Sequence, residues 1–214
     1  AVVTFLAFVS VLMAFGIDAA LPAFDELRRD FGLDALGLSP AITGTPYFVG
    51  MAIGQLIFGV LADRFGRRPI MMVGLSVYAL GALGAATANG LGMLLVGRFV
   101  WGIGAAAPAV LRMAIARDLY AGERMARVVS LVTAVFLIGP IVVPFIGEWI
   151  LLTGSWRAVF AVAIALAAVA LAWAFAFGET LAPEHRQPLR IRPITRAFAA
   201  VVTTRVTLWA IIAQ

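Results

Sequence analysis

The residues of this sequence that carry chemistry are the charged side chains set among apolar ones. Asp18 follows a run of seventeen uncharged residues, and Arg98 and Arg112 interrupt the apolar stretch 91–116. A carboxylate in such a place can take up and release a proton, and a guanidinium near it biases that exchange by attraction. Trp101 is one helical turn from Arg98 and shares its face, which suits stacking on a flat lipophilic molecule or plain packing between helices. Tyr47 and Gln55, eight residues apart, could line a cavity or bond a neighbouring helix. Two further clusters stand out. One is the glycine-punctuated basic stretch holding Gly59, Asp63, Arg64, Gly66, Arg67 and Arg68, and the other is the set of helix-bending residues Gly139, Pro140, Pro144 and Gly147.

The elements that must position these residues follow from composition. The chain has 214 residues, 63% hydrophobic and only 13% charged, which excludes an ordinary water-soluble fold because too little polar surface exists to cover the molecule. Uncharged stretches at 1–17, 35–62, 69–97, 128–147 and 158–178, with the arginine-interrupted 91–116 between them, approximate the ~20 residues a helix needs to cross ~30 Å of hydrocarbon. They predict six spans in a lipid bilayer. The chain opens at Ala1 without an initiator methionine and reads as an excerpt beginning inside a helix.

After Gly178 the prolines Pro183, Pro188 and Pro193 signal a linker over 179–205. Within it 194–204 has the spacing of a helix lying flat on the membrane, and 206–214 begins a seventh span. All sixteen basic residues are arginine, and all but Arg98 and Arg112 fall between the spans. Ten, at Arg64, Arg67, Arg68, Arg117, Arg124, Arg127, Arg186, Arg190, Arg192 and Arg196, lie on one side and three, at Arg28, Arg29 and Arg157, on the other. The richer side is cytoplasmic by the positive-inside rule, which also accounts for the net charge of +5 without nucleic acid. The loop after the first span, with Asp25, Glu26, Asp30 and Asp34, faces outward.

Depth then relates the two core charges. Asp18 is seven residues from Asp25 and Arg98 seven from Leu91, so each lies about 10 Å below the outer face and the two can pair. Pro22 cannot donate to the carbonyl of Asp18 and loosens the helix at the acid. Either the pair exchanges protons, or it is a static lock between two helices; an ionisable group at this depth, costing about 2.5–3.5 kcal/mol to insert, favours the first. Arg112, five residues from Arg117, is expected to snorkel to the inner interface.

The stretch Gly59-Val60-Leu61-Ala62-Asp63-Arg64-Phe65-Gly66-Arg67-Arg68 resembles the loop signature of the major facilitator superfamily. Arg98-Phe99-Val100-Trp101-Gly102-Ile103-Gly104 is similar to its fourth-helix motif, with Trp101 in place of the usual glutamine. Asp18-Ala19-Ala20-Leu21-Pro22, Ala116-Arg117-Asp118, the prolines 140 and 144, and Glu179-Thr180-Leu181 look like the Bcr/CflA branch of drug:proton antiporters. The antiporter motif itself is matched in part, because Val143 and Pro144 stand where that motif has two glycines. The resemblance implies an all-α membrane fold, the N-terminal six-helix half of a twelve-helix transporter built as a three-plus-three inverted repeat, with a missing C-terminal half as partner. It also implies that Asp63 and the loop arginines latch the two halves on the cytoplasmic side.

Secondary transport is therefore the expected function: proton-driven efflux of a small lipophilic compound across the inner membrane, with Asp18 and Arg98 coupling protons and Asp18, Tyr47, Gln55, Arg98 and Trp101 lining the substrate cavity. Symport of a polar metabolite by the same fold and a non-transporting assembly module are the alternatives. No enzyme is expected: His185 is the only histidine and sits in the linker, cysteine is absent, and no metal-ligand or phosphate-loop spacing occurs, so neither metal nor cofactor is implied.

Overall fold

A computed structural model describes residues 2–176 and 178–186, and in these every regular element is a helix. Seven α-helices follow in order: α1 (Val2–Asp18), α2 (Phe24–Asp30), α3 (Thr45–Phe65), α4 (Arg67–Ala86), α5 (Leu91–Leu119), α6 (Gly122–Thr153) and α7 (Trp156–Ala176). Six membrane-spanning segments result, because α1 and α2 are joined by a short 3₁₀ turn, Leu21–Ala23, into one. The predicted linker beyond residue 186, the flat helix 194–204 and the seventh span lie outside the described residues.

Helix boundaries follow local chemistry. α1 stops at Asp18, four residues before Pro22, as the missing proline donor requires. Beyond the turn the acidic segment expected as a loop is helical instead, because Asp25 and Glu26 fall in the first turn of α2 and Arg28 and Arg29 in its last, each sign at the end of the dipole that favours it. Between α3 and α4 the chain turns on Gly66 at φ 105°, a backbone region open to glycine and strained for any residue with a Cβ. Pro140 and Pro144 leave α6 a continuous helix from Gly122 to Thr153.

The spans form two layers. In front, α3, α5, α1 and α6 stand side by side; behind them α4 and α7 pack together, with α4 covering α5 and α7 reaching α1. Lipid tails are as apolar as leucine, so association here rests on close packing of small residues rather than on hydrophobic expulsion. α5 supplies them: Gly97, Gly102, Gly104 and Ala105 to Ala107 are all buried where α5 passes between α3 and α4. α6, at one edge, is the least buried span, and α3, at the other, comes next. Together they bound the face of the half that no described residue covers.

Candidate functional site

The break in α1 creates the first part of the site. A helix leaves its last carbonyls without intrahelical donors, and Arg98 of α5 supplies one of them: its Nη1 donates to the Gly16 carbonyl at 2.9 Å. Its Nε donates to the carbonyl of Thr43 at 3.1 Å, in the 3₁₀ turn that leads into α3. The guanidinium lies over the rings of Tyr47 at 4.8 Å, Trp101 at 5.0 Å and Phe160 at 6.0 Å. Arg98 is 3% exposed, so in hydrocarbon these π faces and carbonyls are what stabilise its charge. Tyr78 donates to the Leu12 carbonyl at 2.9 Å and meets Trp101 edge-on, whereas the buried hydroxyl of Tyr47 has no hydrogen-bond partner among the described residues.

The expected pairing of Asp18 with Arg98 is absent. Asp18 is half-buried at the end of α1 and makes neither hydrogen bond nor ion pair among the described residues. The reason is competition: the Gly16 carbonyl freed by the helix break and the Thr43 carbonyl of the turn before α3 take the donors of Arg98 and leave the carboxylate open. Trp101 shares the face of Arg98 as expected, but at 1% exposure it packs against Tyr47, Tyr78 and Phe160 and offers no open face to a ligand. Tyr47 and Gln55 stand about 80° apart around α3, the first buried and the second exposed. Arg112 does not snorkel. It turns inward, donating from Nη1 to Ser10 Oγ at 2.9 Å and lying 4.6 Å over Phe136.

At the other end of the bundle the signature loop forms a clasp. Arg67 is held by two carboxylates, Nη1 to Asp63 Oδ1 at 2.6 Å and Nε to Asp118 Oδ2 at 2.9 Å. Glu179 caps the start of α4, accepting from the backbone N–H of Arg67 at 2.8 Å and of Arg68 at 3.3 Å, and also from its own neighbours Thr180 and Leu181. Arg68 in turn donates to the last carbonyls of α7, Ala174 at 3.2 Å and Phe175 at 2.6 Å. A Cβ on residue 66 would strike the Glu179 carboxylate, so Gly66 is required by space as well as by φ. Arg64 is exposed and lies over Phe65. Beside the clasp a cavity of about 400 Å³ opens between α3 and α5, lined by Gly59, Asp63, Arg67, Arg117 and Asp118 among others.

The bend residues of α6 meet α1. Gly139 packs on Ala14 and Gly147 on the Ala19 carbonyl, close enough that neither position has room for a Cβ, while Pro140 is exposed and Pro144 half-buried. No group of three metal-ligating side chains occurs among the described residues.

This arrangement has relatives. The family model described as Major Facilitator Superfamily matches residues 6–214, nearly the whole chain. The chain belongs to the major facilitator superfamily. It is 40% identical over 194 residues to a bicyclomycin resistance protein homolog of Haemophilus influenzae, covering 90% of this chain and 48% of that protein. It is also 36% identical over 145 residues to multidrug resistance protein MdtL of Klebsiella pneumoniae, covering 68% of this chain and 36% of MdtL. Among solved structures, the human organic anion transporter MFSD10 superposes with a TM-score of 0.73 at 23% identity over 97% of this chain and 54% of its own, and the proton:xylose symporter XylE with 0.75 at 17% over 84% and 44%. The chain spans about half the length of the curated relatives it matches. Its fold is thus a six-helix half of the superfamily architecture.

Seen as a superfamily half, the signature loop is legible in full, but the partners it uses here were not. Asp118 and Glu179 were quoted only as parts of resembling motifs, and their contacts with Arg67 span 51 and 112 residues of sequence. Gly16, Thr43 and Phe160 were missed altogether as partners of Arg98. Backbone carbonyls and packed rings carry no signal in residue type, and the one available hint was Pro22, which frees carbonyls at the end of α1.

Proposed function

We propose that the protein of which this chain is half is a secondary transporter that exports small lipophilic compounds across the inner membrane in exchange for protons. The chain is not an enzyme; its relatives are superfamily members named for resistance to bicyclomycin and multiple drugs. The observation that carries the reading is the open carboxylate of Asp18, half-buried at a helix break within a span and two residues beyond the Gly16 carbonyl that Arg98 occupies. A carboxylate locked in an ion pair would resist protonation, whereas Asp18 is free to exchange a proton for substrate. In this reading Arg98 sets the local field that Asp18 feels, and the clasp with Asp63, Arg64 and Arg67 meets the second half across the 400 Å³ cavity. The contacts of Gly139 and Gly147 on α1 let the fifth span shift the acid as the halves rock, and the side bearing Arg64, Arg117 and Arg186 is cytoplasmic, with the linker 179–205 leading to a seventh span from 206.

The test is Asp18→Asn in the full-length protein reconstituted in vesicles with a proton gradient. Uphill drug accumulation should fall at least about tenfold, and proton release on drug addition at low buffering should vanish. Undiminished uphill transport by the variant would remove the coupling role, and proton movement in the same direction as substrate would make the protein a symporter.

A further inference from the structure

Arg112 is a cation within a span that the proposed mechanism leaves unused, and its geometry is unusual for its depth. It lies five residues, about 7.5 Å, from Arg117 at the cytoplasmic end of α5, near enough for its side chain to reach the aqueous interface. Instead it bends inward to Ser10 of α1, whose own hydroxyl donates to the Leu6 carbonyl and so presents its lone pairs to the guanidinium. On α5 the Cα atoms of Arg98 and Arg112 are fourteen residues, about 21 Å, apart, yet they contact α1 at Gly16 and Ser10, only six residues or about 9 Å apart. The two guanidinium groups are therefore drawn toward one another, into the membrane rather than out of it.

Nothing described neutralises Arg112. Ser10 and Phe136 supply a hydroxyl and a ring face, its Nε–H is buried without an acceptor, and no carboxylate among the described residues forms an ion pair with it. Asp118, six residues further along α5, is turned to the other side of the helix and bound to Arg67. All three elements around Arg112, α1, α5 and α6, belong to the front layer, whose edges are the two least buried spans. An unbalanced cation held below the interface, with a donor to spare and set between α1 and α6 of the front layer, is built to receive an anion.

We propose that Arg112 is an anion-recognition point of the transport pathway, taking a carboxylate or similar oxyanion carried by the transported molecule, so that lipophilic acids are preferred to lipophilic amines. This rests on the export reading for the word transported, but its test is a binding measurement. The full-length protein in lipid nanodiscs is titrated with 1-pyrenebutyrate, its neutral amide and 1-pyrenebutylammonium, three probes of one shape and different charge. The parent should bind the carboxylate at least about tenfold more tightly than the amide, and Arg112→Gln should erase that preference while moving the amide less than about twofold. Ser10→Ala, which releases the guanidinium from its anchor, should weaken the carboxylate alone by about threefold, and Arg112→Lys should keep part of the preference.

Absence of a carboxylate preference in the parent overturns the proposal. So does equal weakening of all three probes in Arg112→Gln, the result expected if a carboxylate of the second half already fills the place. Should Arg112→Gln not fold, an unchanged preference in both Ser10→Ala and Arg112→Lys is equally decisive against it. Vesicle flux of the same probes separates the two readings: selective binding with no transport sinks export and keeps the anion site, and transport without selectivity does the reverse.

Discussion

Arg98 and Arg67 are both guanidinium groups withdrawn from solvent, and the chain satisfies them in opposite ways. Arg67, at the signature-loop end, is held by two carboxylates: Asp63 and Asp118 are fixed, and α3, α4 and α5 are pinned together through one side chain. Arg98, within a membrane span, has no carboxylate partner among the described residues, being held by two carbonyls and three aromatic faces. Water near the loop lowers the cost of ionising acids, so a network of full charges is affordable there; at depth every extra charge is a further desolvation penalty that an ion pair only partly returns. Carbonyls are already present wherever a helix ends, and their use leaves Asp18 uncommitted. One region trades mobility of its acids for rigidity, and the other keeps its acid free.

The largest effect expected from this contrast is at Arg98. Arg98→Ala strands the Gly16 and Thr43 carbonyls and removes the centre of the aromatic cluster, which should cost roughly 3 kcal/mol or more, seen as a fall of the thermal midpoint of the full-length protein in nanodiscs. Arg67→Ala should cost less, because Asp63 is half-exposed and rehydrates when released. A greater loss for Arg67→Ala would invert the comparison.

Next comes Gly16→Ala. Its Cβ would stand 2.6 Å from the Tyr47 hydroxyl and 3.2 Å from that of Tyr78, so the rings that face Arg98 must move, at a cost of about 1–3 kcal/mol. Tyr47→Phe removes the nearer oxygen, which has no hydrogen-bond partner to lose. The double variant should therefore recover most of the loss in the same melting assay, and additive losses would place the strain elsewhere.

These two sites also mark how far the sequence could be read. Six spans, the turn at Gly66 and the loosening of the first helix by Pro22 were legible because apolar run length, a glycine and a missing proline donor act locally; that α1 stops outright at Asp18 was not. The depth estimate brought Asp18 and Arg98 to one level but could not say which acceptor Arg98 would take, since every helix end offers carbonyls that no residue letter records. For the same reason Arg112 was expected to snorkel: Ser10 and Phe136 come from other helices, and only the packing of α1 and α6 against α5 shows that inward contacts are in reach. Gln55 differs again: eight residues turn a helix by about 80°, and residue type does not record that this step passes from the buried to the exposed part of α3.

Glu179→Gln probes the clasp more gently. An amide keeps one acceptor oxygen for the four backbone donors now shared between two and lacks the negative charge that favours the start of α4, so a loss of about 1–2 kcal/mol is expected. Hydrogen exchange is the sharper readout: the amides of Arg67 and Arg68 should exchange faster while those around Gly16 and Arg98 do not change. Acceleration at both ends would mean that the two regions are coupled rather than separately solved.

The smallest effect is predicted for an ion pair that by distance alone looks as strong as Arg67–Asp118. Arg127 and Glu123 lie 2.9 Å apart on the first turns of α6, as close as Arg67 and Asp118, but their side chains are 80% and 88% exposed against 11% and 18%. Water and salt screen the exposed pair, and holding two long side chains in place costs entropy, so Arg127→Ala should change stability by no more than about 0.5 kcal/mol and by less in high salt. Asp118→Asn, at the same separation, should cost several times more and should depend little on salt, because Arg67 is shielded on both sides by protein. If the two variants melt alike, distance rather than burial governs the charges of this half, and the contrast between Arg67 and Arg98 loses its physical basis.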